Sequence, residues 1–304
     1  MDDTEFERLR DRYRGCLLGL AAGDALGAPL EFINRDEIAL RYGVVRDMLG
    51  GGWLDTKPGE YTDDTQMMLA IARSVAELGR IDPVDIGARF VQWMESMPKD
   101  IGNTTLQSLG YLAAGVPWDE AGARTAARKG DSGAGNGSIM RTAPIGLACR
   151  NDREALIRQS IDISRITHAD PRCTWSCVAL CQAIAALLDG TDDVLAAAAA
   201  GIEEPEVVVT LERTATIGRN DVRSGGYVLH TLSAAFWAFV NHDSFEEVVV
   251  AAVNLGGDAD SSGAVAGALA GARSGASAIP DRWLAVLQSR QELTDLADRL
   301  LELA

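Results

Sequence analysis

Glycine recurs at every fourth position in two distant stretches of the chain: Gly15, Gly19, Gly23 and Gly27 in one, Gly263, Gly267 and Gly271 in the other. A spacing of four keeps each set on one face of an α-helix. Glycine inside a helix costs about 1 kcal/mol relative to alanine, so a repeated glycine face needs a compensating contact. What glycine permits is the close approach of a second backbone. The two stretches are therefore expected to form helices that cross at the centre of a bundle; the competing reading is two merely tolerant Ala/Gly-rich helices.

The rest of the chain carries the helical period in Ala, Leu and Arg, over 5–28, 64–79, 83–97, 103–114, 119–129, 152–166, 172–189, 227–240, 245–254, 261–273 and 281–303. Strand signals are sparse. Glu206–Leu211 alternates poorly and reads as a short strand or a helical turn, and Val248–Val250 lies inside a helical pattern. Ser244 with Glu247 forms a capping box, Pro83 after Asp82 suits a first helical position, and Gly79 and Gly190 suit helix ends. The expected fold is all-α. No Pro/Ser-rich or charged linker divides the chain, so one compact multi-helix domain, 1–304, is expected.

At 47% hydrophobic and 24% charged residues, a core is affordable and disorder is excluded. The formal charge of −16 repels phosphate backbones and anionic lipid, which argues against nucleic acid and membrane partners. The first fifteen residues lack the order of a secretory signal, and no run approaches the roughly 18 uninterrupted apolar residues of a spanning helix. A cytoplasmic protein is expected. The five cysteines are an odd count, and Cys173, Cys177 and Cys181 have helical spacing, so reduced thiols are expected. His168 with these three fits no common zinc finger.

Chemistry concentrates in two turns. Tyr61-Thr62-Asp63-Asp64-Thr65 opens a long apolar helix. One Asp suffices to cap it, and a second Asp flanked by hydroxyls gathers hard oxygen ligands suited to Mg²⁺ or Mn²⁺. Gly256-Gly257-Asp258-Ala259-Asp260-Ser261-Ser262 repeats the pattern before the second glycine-faced helix. Each turn alone reads as a cap. If the glycine faces pack together, Thr62, Asp63, Asp64, Asp258, Asp260 and Ser261 become one cage for one or two divalent ions, which in two-metal hydrolases lie about 3.5–4 Å apart.

Gly23-Asp24-Ala25-Leu26-Gly27 with Glu31-Phe32, then Thr62-Asp63-Asp64-Thr65, Gly135-Asn136-Gly137 with Met140-Arg141, Thr167-His168, and Gly256-Gly257-Asp258-Ala259-Asp260-Ser261 follow one another in the order and approximate spacing of the ADP-ribosylglycohydrolase family. The resemblance covers nearly the whole chain. Asp100-Ile101-Gly102-Asn103-Thr104 resembles the bacterial branch that contains the dinitrogenase-reductase-activating glycohydrolase.

The resemblance implies a binuclear Mg²⁺ or Mn²⁺ site at the centre of the all-α domain, which holds the ribose hydroxyls of ADP-ribose and positions a water. By motif position the metal ligands would be Thr62, Asp63, Asp64, Asp258, Asp260 and Ser261, with Ser261 where many members have Thr. Glu31, Asp63 and Asp100 would be the catalytic carboxylates, Glu31 on a flap that spacing alone places at the surface. Asp100, which otherwise caps the helix starting near Asn103, would meet a departing guanidinium or shuttle a proton. Asn103, Ser132, Gly133, Gly135 and Asn136 would bind substrate, the glycine-rich loop cradling the diphosphate with backbone N–H groups. Ala134 stands where some relatives carry an aromatic. His168 would contact diphosphate or ribose, and no Ser-His-Asp or activated-Cys pattern makes it a nucleophile's base. Tyr227 is either a core ring or a wall of the site, and Trp175, Phe236 and Trp237 are packing residues.

The expected activity is metal-dependent removal of ADP-ribose from modified protein side chains, with arginine as the linkage and ADP-ribose as the product. The alternatives are an O-linked serine or acyl conjugate, or a silent protein that binds ADP-ribose and metal.

Overall fold

The computed structural model describes residues 2–191 and 193–304, except the side chains of Asp131 and Ser132. Sixteen α-helices occur among the described residues. They are α1 (Asp3–Gly27), α2 (Arg35–Tyr42), α3 (Asp63–Leu78), α4 (Pro83–Glu95), α5 (Asn103–Ala113), α6 (Trp118–Lys129), α7 (Ala143–Ala148), α8 (Arg153–Arg165), α9 (Pro171–Leu188), α10 (Val194–Ala199), α11 (Pro205–Thr214), α12 (Val228–Asn241), α13 (Phe245–Val253), α14 (Ala259–Ser274), α15 (Asp281–Leu284) and α16 (Arg290–Leu303). Among the described residues, extended pairing is confined to three isolated bridges, Asn34 with Gly256, Gly51 with Thr56 and Gly135 with Tyr227.

The glycine faces meet. A Cβ built at Gly15 would lie 2.4 Å from the carbonyl oxygen of Gly271, at Gly19 2.3 Å from that of Gly267, and at Gly23 1.9 Å from that of Gly263. A Cβ at Gly27 would lie 2.4 Å from that of Ala259. The partner number falls by four as the glycine number rises by four, so α1 and α14 run antiparallel and stay in contact over successive turns rather than crossing at one point. The reading of merely tolerant helices fails, because no Cβ fits at any of these glycines without meeting the opposite backbone. The antiparallel sense brings the last turn of α1 beside the first turn of α14.

Around the seam the other helices close one apolar core. α3 buries Met67, Met68, Ile71, Ala72 and Val75, and ends at Gly79 in the left-handed conformation. α9 is long and apolar enough to cross a bilayer by length and composition, and 78% of that span is buried inside the fold. Its Cys173, Cys177 and Cys181, with Cys16 and Cys149, are free buried thiols. Cys173 meets Gly135 O, Cys177 meets Ser138 Oγ and Cys181 meets Thr142 O, and burial makes all five core residues.

Several boundaries depart from expectation. Glu206–Leu211 is helical, because Val207 and Leu211 share the buried face of α11. The single helix expected over 281–303 is two: Gln288 N–H donates to Gly59 O, and Ser289 turns left-handed at φ 52° before α16 begins. At α13 the Ser244 hydroxyl accepts from Glu247 N–H and donates to the Glu247 carboxylate, so half of the expected box forms. The short helices α2, α7 and α10 carried no periodic signal.

Candidate active site

α3 begins without help from its own side chains: Thr62 at the N-cap makes no capping bond of its own. The cap comes from α1. Asp24 Oδ1 accepts from Thr62 N–H and Oγ1–H at 2.9 Å each, and Asp24 Oδ2 accepts from Thr65 N–H at 3.0 Å and Oγ1–H at 2.5 Å. Capping is thus satisfied by a residue the motif reading had given no role, and Asp63 and Asp64 keep their carboxylates for something else. The signal was in the sequence: a single Asp within the buried Gly/Ala/Leu run of α1, where an unpaired charge is expensive.

The second acidic turn is held by backbone. Gly257 N–H donates to Ile33 O at 2.8 Å, Phe32 N–H to Gly257 O at 2.6 Å and Asp258 N–H to Ser224 O at 2.6 Å. Gly256 and Gly257 both take positive φ, 71° and 69°, and a Cβ at Gly257 would meet Ser224 O at 2.0 Å, so only glycine makes this turn. Asp258, like Thr62, makes no capping bond at its helix start. Its Oδ2 accepts from Asn136 Nδ2 at 3.1 Å, and Asn136 Nδ2 also donates to Thr231 Oγ1 at 2.9 Å.

The same clasp fixes Glu31 beside Asp258, and Phe32 pays with a left-handed φ of 63°. Glu31 is buried, with Oε2 accepting from Trp53 Nε1 at 2.6 Å. Trp53, missed in the sequence, is half-exposed and packs on Phe32 with centroids 5.5 Å apart. Asp100 comes from the loop before α5 and lies within hydrogen-bonding reach of Asp63. Lys99 ties that loop to Glu60 at 2.7 Å.

These groups face one cavity of about 310 Å³. Glu31, Asp63, Asp64, Asp100, Asp258, Asp260 and Ser261 line it, as do Asn103, Gly135, Asn136 and His168. Thr62 lies behind it, in contact with Asp24, Asp64 and Asp260. Gly133 does not line it, and the side chain of Ser132 lies outside the described residues. The Asn136 N–H is already donated to Gly226 O, so it is not free for a phosphate nest. Tyr227 does not line the cavity either: its hydroxyl accepts from Arg172 Nη1 at 3.4 Å and donates to Glu206 at 3.3 Å, which draws the ring toward an adjacent groove. Its backbone, bridged to Gly135, still shapes the wall.

Burial dominates the electrostatics. Asp63, Asp64 and Asp260 are held well above the usual carboxylate range by burial first and by neighbouring carboxylates second, led by Asp100 for Asp63, Asp24 for Asp64 and Asp258 for Asp260. Burial pushes Glu31 up to about 8 against the opposing Trp53 hydrogen bond, and Asp24 up to about 6. Asp100 rises for the same reason. Burial lowers His168 to about 3, so its imidazole is neutral.

Two details bear on a cation. Asp64 Oδ1 is buried with no hydrogen-bond partner. The Thr62 hydroxyl spends its one hydrogen on Asp24, so its lone pairs face Asp64 Oδ2 at 3.3 Å and Asp260 Oδ2 at 3.5 Å. Oxygens facing oxygens in a buried place suit a hard cation. The acids ring the cavity without forming a closed shell: among the described residues no three Asp, Glu, His or Cys side chains converge as a complete ligand set.

The chain matches the ADP-ribosylglycohydrolase family over residues 6–304. It is 38% identical over 299 residues to the ADP-ribosyl-[dinitrogen reductase] glycohydrolase of Rhodospirillum rubrum, covering 97% of both chains. It is 35% identical to the ADP-ribosylarginine hydrolase Tri1 of Pseudomonas putida, covering 98% of this chain and 80% of that one. A solved structure described as an ADP-ribosylglycohydrolase-related protein complex superposes with a TM-score of 0.84 at 36% identity, over 98% of this chain and 99% of the other. Matched by the family model over residues 6–304 and by these relatives along nearly its whole length, the chain belongs to the ADP-ribosylglycohydrolase family.

Proposed function

We propose that the protein hydrolyses the bond between ADP-ribose and an arginine side chain of a modified protein, with two divalent cations, Mg²⁺ or Mn²⁺, as cofactors. The observation that carries this is a single cleft lined by six carboxyl groups and, among the described residues, by no lysine or arginine. A diphosphate entering such a cleft is repelled unless cations accompany it, whereas a guanidinium leaving group is attracted. Thr62, Asp63, Asp64, Asp258, Asp260 and Ser261 would hold the cations, with waters completing the coordination; when bound, these neutralise the acids and polarise ribose oxygens and water.

The protein's own groups divide the rest of the work. Glycosidic cleavage needs one carboxyl that gives a proton and one that takes it. Glu31 and the Asp63–Asp100 pair supply carboxyls in different environments on the wall of one cavity. Asp100, in the more open loop, would receive the guanidinium, while Asn103, Gly135, Asn136 and His168 would hold the ADP-ribosyl moiety. The two closely similar relatives, one named for dinitrogen reductase and one for ADP-ribosylarginine, support this choice of linkage. Reduced buried thiols support a cytoplasmic setting.

The test is release of free ADP-ribose from an arginine-ADP-ribosylated protein with Mg²⁺, with Mn²⁺ and after chelation, a serine-linked conjugate alongside. Metal-dependent release from the arginine conjugate is expected. Release from the serine conjugate alone overturns the linkage, and metal-independent release overturns the cations. Binding of ADP-ribose without release from either conjugate overturns the hydrolase reading.

A further inference from the structure

Arg141 is fully buried, 0% exposed, stacks 4.4 Å over the Phe90 ring, and among the described residues its guanidinium makes no hydrogen bond to a carboxylate. Its Nη1 meets Met67 Sδ at 3.3 Å, and its Nη2 donates to Thr167 Oγ1 at 2.7 Å. Thr167 Oγ1 lies in turn 2.8 Å from His168 Nδ1. His168 lines the cleft.

We infer that Arg141 and Thr167 are positioning residues that fix His168 as the Nε2–H tautomer, a neutral hydrogen-bond donor aimed into the cleft. The direction follows from donor counting. Arginine only donates, so Thr167 Oγ1 accepts on that side. Its single hydrogen then has His168 Nδ1 as its acceptor, since no other acceptor for the Thr167 hydroxyl occurs among the described residues. With Nδ1 accepting, the ring proton sits on Nε2. The opposite tautomer strands the buried Thr167 hydroxyl hydrogen.

Ring placement follows from two further contacts. A Cβ at Gly137 would lie 2.7 Å from His168 Cε1 and 3.1 Å from Nε2, so glycine at 137 leaves room for the imidazole edge. The His168 backbone is pinned from the other side, its N–H donating to Ser164 O at 2.8 Å and its carbonyl accepting from Ser164 Oγ at 2.9 Å. Burial and the neighbouring Arg141 charge both oppose a second proton on the ring. An Nε2–H donor recognises an anionic or carbonyl-like oxygen and cannot act as a base at that atom. Resting on the proposed function, the ligand atom is an oxygen of the ADP-ribosyl group.

The experiment is long-range ¹H–¹⁵N NMR of the ¹⁵N-histidine-labelled protein. Its three histidines are His168, His230 and His242, and His168→Gln assigns the signal of interest. The wild type should show one protonated and one unprotonated ring nitrogen on His168, with Nε2 carrying the proton. Thr167→Val should replace this with a mixture and weaken ADP-ribose binding about ten-fold, ~1.4 kcal/mol, with kcat nearly unchanged; Thr167→Ser should restore both. An Nδ1–H signal in the wild type, or an unaltered tautomer in a folded Thr167→Val, overturns the inference. The tautomer is read without any ligand. If it is as expected and ADP-ribose does not bind, the proposed function has failed while the relay stands.

Discussion

The seam between α1 and α14 and the acidic cleft at its end follow opposite rules. Along the seam everything is steric: backbone faces backbone at Gly15, Gly19, Gly23 and Gly27, and the interior has no volume to spare. In the cleft everything is electrostatic. Asp63, Asp64 and Asp260 are buried beside one another and held protonatable far above their ordinary range. The seam therefore stabilises the fold, whereas the cleft draws on that stability and stores repulsion for a cation or a proton to relieve. A change of side chain should accordingly damage stability in one region and activity in the other.

The largest effect expected is in the seam. Gly271→Ala puts a methyl 1.9 Å from Gly15 O, a backbone atom that cannot swing away. It should cost about 3 kcal/mol or more, read as a lowered melting temperature; an unchanged melt breaks the steric half of the comparison. Asp258→Asn should do the reverse, lowering ADP-ribose release by about 100-fold or more and weakening metal binding while the circular dichroism stays helical. Full activity in that variant removes Asp258 from the site.

A third prediction sharpens the electrostatic half. Glu31 and Asp24 have folded-state values of about 8 and about 6, above their unfolded values. The folded protein then binds more protons than the unfolded one between those limits, so stability falls as pH rises. In chelator the melting temperature should drop by several degrees from pH 5 to pH 8, and added Mg²⁺ or Mn²⁺ should flatten that slope. Glu31→Gln should remove part of it. A pH-independent melt in chelator contradicts the stored repulsion. The smallest effect is at the rim, where Trp53→Phe deletes the indole donor to Glu31 and should lower kcat/KM by roughly ten-fold or less, the worth of one hydrogen bond to an ionisable group. An increase in kcat/KM would show that the indole restrains Glu31 rather than aiding it.

The parts of the site legible in the sequence were those with dense local signals. Two Asp beside hydroxyls, and two Gly before an Asp, are rare clusters whose chemistry is visible without coordinates, and the order of dispersed motifs named the family. Asp24 was missed as a cap because its partners Thr62 and Thr65 stand some forty positions away, and N-caps are sought in the residues just before a helix. Trp53 was missed because its partner Glu31 lies on another turn and nothing in its own neighbours marks it. Tyr227 was left between core and site, and the structure turns its ring toward Arg172, a contact no spacing encodes. The break at Ser289 was invisible for a similar reason: 281–303 is periodic, and only the docking of Gly59 against Val286 and Gln288 interrupts it.

By itself, the sequence determined that the chain is helical, that two of its helices carry a glycine face able to meet another backbone, and that two oxygen-rich turns sit at helix starts. These are properties of short windows, set by the 3.6-residue period, the missing Cβ of glycine and the acceptor chemistry of carboxylates. Only the tertiary structure decided that α1 and α14 are antiparallel, that Asp24 frees Asp63 and Asp64 from capping, and that Glu31, Asp100 and His168 share the cleft with them. Each of those depends on the direction in which one element approaches another, and direction arises from packing the whole core rather than from any one stretch of chain.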